Sequence, residues 1–458
     1  MAKEDIKTLR DFPSVEELLE NKNLKTIISA VPRPIASDII RAAVKNQKDV
    51  LQKNKKLIKF SDLLKSIRTD LSDAKREKIT QVINATGTLI HTNLGRAPLG
   101  AQRLEEISNI ISGYCNIEYD LISGKRGNRG AACERYLAKL SQSESAAVVN
   151  NCAAALMLSL NSFADKKKVI ISRGELIQIG GGFRIPDILK KSGAKLVEVG
   201  TTNITGLNDY KDAIDDKTAV ILRVHRSNFT QSGFTDEVPT DELAKLSRDN
   251  NLIMINDVGS GLVMNSSEAK QLNEPTIWQA VKSGADLTLY SGDKLFGSVQ
   301  AGIICGNKEL IKKLKSNPIF RTLRADKLIL KLLESSAADY LNSNQSDSPL
   351  WQMIGQSESE LYKTGKAIVK DLSCSREISV EATTAYIGGG TTPEKTIPSV
   401  GLFFSSSFKP DKLLKQFRNF ETPVIGRIEN KRFILDLRTV LKSDLAQFVS
   451  AIKTILKK

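Results

Sequence analysis

A lysine and an aspartate, each delivered by an apolar run to a small-residue turn, are the side chains here best placed to do chemistry. Lys294 lies in Ser291-Gly292-Asp293-Lys294-Leu295-Phe296-Gly297, fed by the apolar stretch Ala285 to Tyr290. Asp257 follows the run Asn251 to Ile255 and precedes Val258-Gly259-Ser260-Gly261, the pattern of a strand opening into a tight turn. Open α/β sheets bind ligands outside the carboxyl ends of their strands, so both side chains are expected at one sheet edge. An amine can carry an aldehyde and a carboxylate can partner a pyridine nitrogen. Together they suit pyridoxal 5'-phosphate.

The phosphate of such a cofactor needs a separate seat. The run Ala146 to Val149 ends in Asn150-Asn151-Cys152-Ala153-Ala154-Ala155, small polar residues followed by strong helix formers. The unpaired N–H groups and dipole of a helix N-terminus suit a phosphate dianion, so Asn151, Cys152 and Ala153 are expected to hold it. Ser291 could add a hydroxyl. A plain strand-to-helix turn capped by Asn is the alternative for this segment taken alone. His91 and His225 are the only histidines. His225 closes the run Ala219 to Val224 on the same edge, where it is expected either at the cofactor or as a hydrogen-bonded structural residue.

Short apolar, β-rich runs alternate with helical segments from about residue 79: Ala146 to Val149, Val169 to Ser172, Lys195 to Val199, Ala219 to Val224, Leu252 to Ile255, Leu287 to Tyr290 and Gly302 to Cys305. Such alternation predicts an α/β fold with a largely parallel sheet covered on both faces. Residues 1–78 read as a separate helical unit, with a proline-rich joint at Val31-Pro32-Arg33-Pro34 and an N-cap candidate at Ser61. Residues 79–334 form the large domain. Residues 335–458 read as a smaller α+β domain, with a helical stretch, Gly388-Gly389-Gly390, strands at Ser399 to Phe404 and Arg432 to Leu437, and a final helix.

Charge says more than the rest of the composition. The 458 residues are 41% hydrophobic and 26% charged, ordinary for a globular enzyme, but Lys and Arg number 67 against 52 acids, a net +15. The pI near 9.4 favours a polyanionic partner. Arg41, Lys45, Lys48, Lys53, Lys55, Lys56 and Lys59 face only Asp49 within residues 41–60, and Ile40, Val44, Gln47 and Leu51 recur at helical spacing. That is a basic amphipathic helix, either a solvated face or a phosphate-contacting one. Cys115, Cys133, Cys152, Cys305 and Cys374 are scattered without a C-x-x-C pair, so neither a disulfide framework nor a metal site is indicated. The amino-terminal residues have no apolar core and no run approaches a membrane span, which predicts a cytoplasmic protein.

The stretch Ile83-Asn84-Ala85-Thr86-Gly87-Thr88-Leu89-Ile90-His91-Thr92-Asn93-Leu94-Gly95-Arg96-Ala97-Pro98-Leu99 resembles the signature of bacterial selenocysteine synthases, the L-seryl-tRNA(Sec) selenium transferases. Ser172-Arg173-Gly174-Glu175, Ile179 to Pro186, Val199 to Asn203, Ser291 to Lys294, Arg321-Thr322-Leu323-Arg324 and Val424 to Ile428 agree in the same order, from about residue 10 to about 440. The resemblance implies a fold-type I pyridoxal-phosphate transferase of the aspartate-aminotransferase type. It implies an N-terminal tRNA-binding domain and a homo-oligomer built of dimers, up to a decameric ring. Lys294 then corresponds to the Schiff-base lysine and Asp257 to the pyridinium partner. Arg96, Arg321 and Arg324 correspond to an arginine cluster for the phosphate of selenophosphate, and Asp293 to a carboxylate beside the lysine.

This sequence departs from the family pattern at Cys152, where Asn is usual, at Gln178, where Glu is usual, and at Ser298-Val299, where Gly-Pro is usual. Arg129-Gly130-Ala131-Ala132-Cys133 lacks an expected histidine. Two other functions share the same residues: a related pyridoxal-phosphate lyase acting on a small free amino acid, and an RNA-binding homologue without turnover.

Overall fold

The chain divides between Gln81 and Val82 into two units. A computed structural model describes residues 5–54, 57–179, 182–226, 229, 231–264, 266–343, 348–374, 376–388 and 395–457. Gly180, Gly181, Gly389, Gly390, Lys55 and Lys56 lie outside the described residues.

The first unit is helical, with Val15–Leu19, Lys25–Ile28, Arg33–Asn54 and Phe60–Arg76. The expected basic helix is the third of these: Ile40, Ala43, Val44 and Leu51 are buried along one stripe, while Arg41, Lys45 and Lys53 are exposed on the other. Leu63, Ile67 and Leu71, spaced by four, bury the facing stripe of the last helix. Ser61 is not its cap. The helix starts at Phe60, with Lys59 in the cap position and no side-chain cap bond, two residues before the start a Ser61 cap would set, and Phe60 packs on the same apolar cluster.

Fourteen strands of the second unit position the site and its supports, and they are labelled here in chain order. They are β1 (Ile83–Asn84), β2 (Thr88–Ile90), β3 (Ser145–Val149), β4 (Lys168–Ser172), β5 (Lys195–Val199), β6 (Thr218–Val224), β7 (Ile253–Gly259), β8 (Leu287–Ser291), β9 (Gly302–Gly306), β10 (Ile378–Gly388), β11 (Thr396–Phe404), β12 (Val424–Ile425), β13 (Arg427–Glu429) and β14 (Arg432–Asp436). A seven-stranded sheet runs β3-β9-β8-β7-β6-β4-β5. Only β9 is antiparallel to its neighbours, so the carboxyl ends of β3, β6, β7 and β8 share one edge. Alternate residues of β3 feed opposite cores, Ala146 and Val148 on one face, Ala147 and Val149 on the other. Both faces are therefore covered, as the continuous apolar runs require.

The smaller sheet runs β13-β14-β11-β10-β2. β10 is a strand the sequence reading did not expect. β2 lies before the large sheet in sequence yet pairs in parallel with β10, and β1 pairs in parallel with β12. Gly87 sits between β1 and β2 at φ +78°, and a Cβ there would overlap the Arg427 guanidinium and the Asp436 carboxylate. Asp436 is fully buried, and it accepts from Arg427 Nη1 at 2.9 Å and Ser399 Oγ at 2.6 Å. Arg427 also donates to the Thr86 carbonyl at 2.6 Å and Thr383 Oγ1 at 2.7 Å, tying residues before the large sheet to strands after it.

Among the described residues no helix is long and apolar enough to cross a membrane. None of their His, Cys, Asp or Glu side chains group to hold a metal ion. Gly87→Ala combines a left-handed backbone with a clash against a buried ion pair, and should destabilise the second unit by about 3 kcal/mol. Denaturant melts of the variant and wild type read this directly, and an unchanged midpoint would remove Gly87 from the packing account.

Candidate active site

Asp257 lies near the end of β7, in register with Val224 on β6 and Leu289 on β8. The His225 N–H donates to the Asp257 carbonyl at 2.9 Å, fixing the backbone behind the carboxylate. β8 ends at buried Ser291, and Lys294 follows in a turn closed by Gly297 N–H to the Lys294 carbonyl at 2.9 Å. Leu295 N–H reaches the Ser260 carbonyl at 2.9 Å, so the turns after β7 and β8 pack back to back. Gly261 (φ +74°) permits this, since a Cβ would sit 2.7 Å from the Ser291 carbonyl. Lys294 is 8% exposed, a buried amine on the edge where the sequence placed it.

The turn after β3 is a capped helix start. Asn151, in extended conformation, accepts from Ala154 N–H at 2.9 Å and begins the helix Cys152–Ala164. The N–H groups of Cys152 and Ala153 are among those that helix geometry leaves without an intrahelical acceptor. Gly302, the first residue of β9, pairs with both Val149 and Ser291, and a Cβ on it would overlap the Asn151 carbonyl. Only glycine lets the helix start close down between β3 and β8.

Electrostatics test whether these residues suit pyridoxal phosphate. Burial pushes the Asp257 carboxyl up to about 6, against the pull of Lys294, the Cys152 thiol and His225. A carboxylate raised in this way gains by meeting a cationic ring nitrogen. The Cys152 Sγ lies 3.5 Å from Asp257 Oδ1. A penalised carboxylate, a buried amine and a helix N-terminus with spare donors converge, and they fit the cofactor.

Arg96 and Asp293 form an ion pair of 2.6 Å beside the lysine. Arg96 holds φ +65°, reached through a tight loop in which the Leu94 and Arg96 N–H groups both donate to the His91 carbonyl at 3.0 Å. Asp293 is buried, with Oδ1 unpartnered. His91 is held below its ordinary value by burial, and its Nδ1 is also unpartnered. Arg324 hangs beside the helix start, since Val149 bridges Arg324 and the Asn150 N–H donates to the Leu323 carbonyl at 3.1 Å. Arg324 and Arg321 line a cleft of about 420 Å³ with Arg126, Arg129 and Lys315. There Glu118 meets Arg126 at 2.6 Å, Arg129 at 3.0 Å and Arg324 at 3.2 Å. The hydrogen bond from Arg129, then the charges of Arg126 and Arg324, hold its carboxyl below the usual range. Arg321 and Arg324 are thus brought together, whereas Arg96 is paired with Asp293 and is not among the residues lining that cleft.

The ring of His225 meets Glu274 at 3.0 Å. Glu274 also meets Lys395 at 3.1 Å. Sequence reasoning missed Glu118, Glu274 and the basic partners Arg126 and Lys315, because nothing local marks an acid that several distant cations will share. Glu175 ends the stretch Ser172-Arg173-Gly174-Glu175. It is buried, pushed up to about 7 by that burial, and accepts the Val224 N–H at 2.9 Å.

Fold and site define a fold-type I, pyridoxal-phosphate-dependent enzyme. The family model for L-seryl-tRNA selenium transferase matches residues 82–441. The L-seryl-tRNA(Sec) selenium transferase of Sulfurimonas denitrificans is 40% identical over 452 residues, covering 98% of this chain and 99% of that protein. Its counterpart in Aquifex aeolicus is 40% identical over 456 residues, covering 98% and 99%. Among solved structures, D-glucosaminate-6-phosphate ammonia-lyase is similar with a TM-score of 0.58 at 20% identity, over 83% of this chain and 96% of that one, a likeness of fold. The chain belongs to the L-seryl-tRNA(Sec) selenium transferase family.

The raised Asp257 carboxyl gives a pH prediction. Below about pH 6 the acid is protonated and cannot meet a cationic ring, so cofactor affinity should fall as pH drops through that value. Asp257→Asn should bind more weakly and lose that part of the pH dependence. Equilibrium titrations of pyridoxal phosphate from pH 5 to 8 test this, and an identical profile in the variant would contradict it.

Proposed function

We propose that this enzyme converts seryl-tRNA(Sec) to selenocysteyl-tRNA(Sec) by β-replacement, taking selenium from selenophosphate. The carrying observation is the convergence of Lys294, Asp257 and the Asn151-capped helix start on one edge, in a chain matched to its relatives nearly end to end. Pyridoxal phosphate, when bound, supplies an electron sink and an aldehyde that engages the seryl amine.

The residues divide the remaining work. The N–H groups of Cys152 and Ala153, with the Ser291 hydroxyl, are assigned to the cofactor phosphate. Asp257 holds a proton at the ring nitrogen, and the His225 N–H fixes the backbone behind it. Lys294 Nζ would hold the cofactor aldehyde, and as a free amine it would take the proton from the substrate α-carbon. The β-carbon–oxygen bond breaks and the hydroxyl leaves with a proton as water; the donor's selenium then bonds the β-carbon while the α-carbon regains its proton, and a water cleaves the selenium–phosphorus bond to release phosphate. Asp293 orients the Lys294 amine, or passes on its proton, from the adjacent position. Arg321 and Arg324, which line one cleft, are assigned to the donor phosphate, which guanidinium forks bind in paired hydrogen bonds, and Arg96, held by Asp293 beside the lysine, is assigned to the same donor from the lysine side. The substrate carboxyl is an ester, so no arginine is needed to clamp it.

The N-terminal unit suits the RNA part of the substrate. Its helix Arg33–Asn54 exposes Arg41, Lys45 and Lys53 opposite a buried stripe, and the alternative of a lyase acting on a small free amino acid gives that surface no task. We assign the enzyme to the cytoplasm, in the company of its tRNA partner. We assign it a homo-oligomeric state based on dimers and extending to a decameric ring. Tyr114 and Ile122, fully exposed, and Leu121, 73% exposed, supply apolar surface for such contacts.

The direct assay is selenium incorporation into purified seryl-tRNA(Sec) with selenophosphate supplied. Lys294→Ala should lower it by about three orders of magnitude or more, while tRNA affinity stays within roughly twofold. Retained incorporation would overturn the assignment, and a spectral response to free serine without tRNA binding would favour the lyase. tRNA affinity should also fall steeply and log-linearly with salt if the basic helix carries it. A flat salt response in a filter-binding series would remove that helix from the interface.

A further inference from the structure

Cys152 occupies two parts of the cofactor seat. As the first residue of the helix Cys152–Ala164 it places its backbone N–H in the phosphate cradle. Its side chain reaches Asp257, with Sγ 3.5 Å from Asp257 Oδ1, a distance suited to a sulfur hydrogen bond. The Ser291 hydroxyl also meets the thiol. Burial and the nearby carboxylate push the thiol well above its ordinary value, so it stays protonated and faces Asp257 as a donor.

The other groups around Asp257 are committed elsewhere. Lys294, on the turn after β8, acts on Asp257 through its charge and carries the chemistry. His225, at the end of β6, gives Asp257 its backbone N–H, while its ring pairs with Glu274, which also takes Lys395. The Gly259 N–H adds a backbone bond to the carboxylate. Cys152 is therefore the side chain that hydrogen-bonds the Asp257 carboxylate.

We propose that Cys152 is a positioning residue for the reaction. Its thiol holds one oxygen of Asp257, so that the other faces the cofactor ring nitrogen, and couples the phosphate cradle to the ring-nitrogen partner. A thiol is a weak donor. It steadies the carboxylate less than an amide or hydroxyl would, and sets how readily Asp257 keeps its charge. The inference rests on the pyridoxal-phosphate seat and not on selenium transfer.

The test is the pH dependence of pyridoxal phosphate binding to the full-length protein, followed by absorbance, for wild type, Cys152→Val, Cys152→Ala and Cys152→Ser. Losing the donor disfavours the carboxylate, so Val and Ala should move the midpoint of binding up by roughly 0.5 pH and weaken affinity near neutrality about threefold. Ser, a stronger donor, should restore affinity to wild type or better and move the midpoint down. Wild-type midpoints in both Val and Ala would overturn the proposal, and so would Ser behaving like Val. Should Val fail to fold, judged by its melt, Ala and Ser decide between the same outcomes. A wild-type protein that takes up no pyridoxal phosphate would overturn the seat itself, a result distinguishable from an unshifted midpoint.

Discussion

A carboxylate shut away from water must either take up a proton or meet a cation, and the placement of Asp257 turns that requirement into recognition. Burial raises its carboxyl to about 6, close enough to neutrality that a cationic partner decides its state. The rest of the site follows from supplying that partner's other contacts: an amine on the next strand's turn and a helix start for an anion. Each contact comes from a different strand end, so the sheet order is the positioning device.

The single antiparallel strand is central to this. β9 lies between β3, which ends in the helix start, and β8, which ends before Lys294, and its first residue is Gly302. A side chain there would overlap the Asn151 carbonyl, so a missing Cβ sets how closely cradle and lysine approach. The departures from the family pattern are accommodated by local partners. Ser298 accepts from Ser336 Oγ at 2.8 Å in the core, and Gln178 accepts from Arg184 Nε at 2.8 Å. No structural reason for Val299 is evident. Cys152, the one such position that touches Asp257, is where the chain's own chemistry differs.

What could be read from sequence was what neighbouring residues encode. The apolar runs ending in Ser291 and Asp257 and the Asn151 cap were legible because strand, turn and helix-start signals act within a few residues. The pairing of β1 and β2 with strands more than 280 residues later was not, since hydrophobic alternation says nothing about partners. The signature holding Gly87 and Arg96 illustrates both limits. Gly87 serves packing against Arg427 and Asp436, whereas Arg96 serves the site through Asp293. Glu118 shared by three arginines was equally invisible, because its partners come from separate segments. The sequence reading set three arginines as one cluster, but the fold ties one of them to the acid beside the lysine.

The account stands on one amine. After loading the full-length protein with pyridoxal phosphate, reducing with borohydride and digesting, peptide mass mapping should find one pyridoxyl-modified lysine, at position 294. Modification of a different lysine, or no stable modification while the cofactor is bound, would contradict the account at its centre.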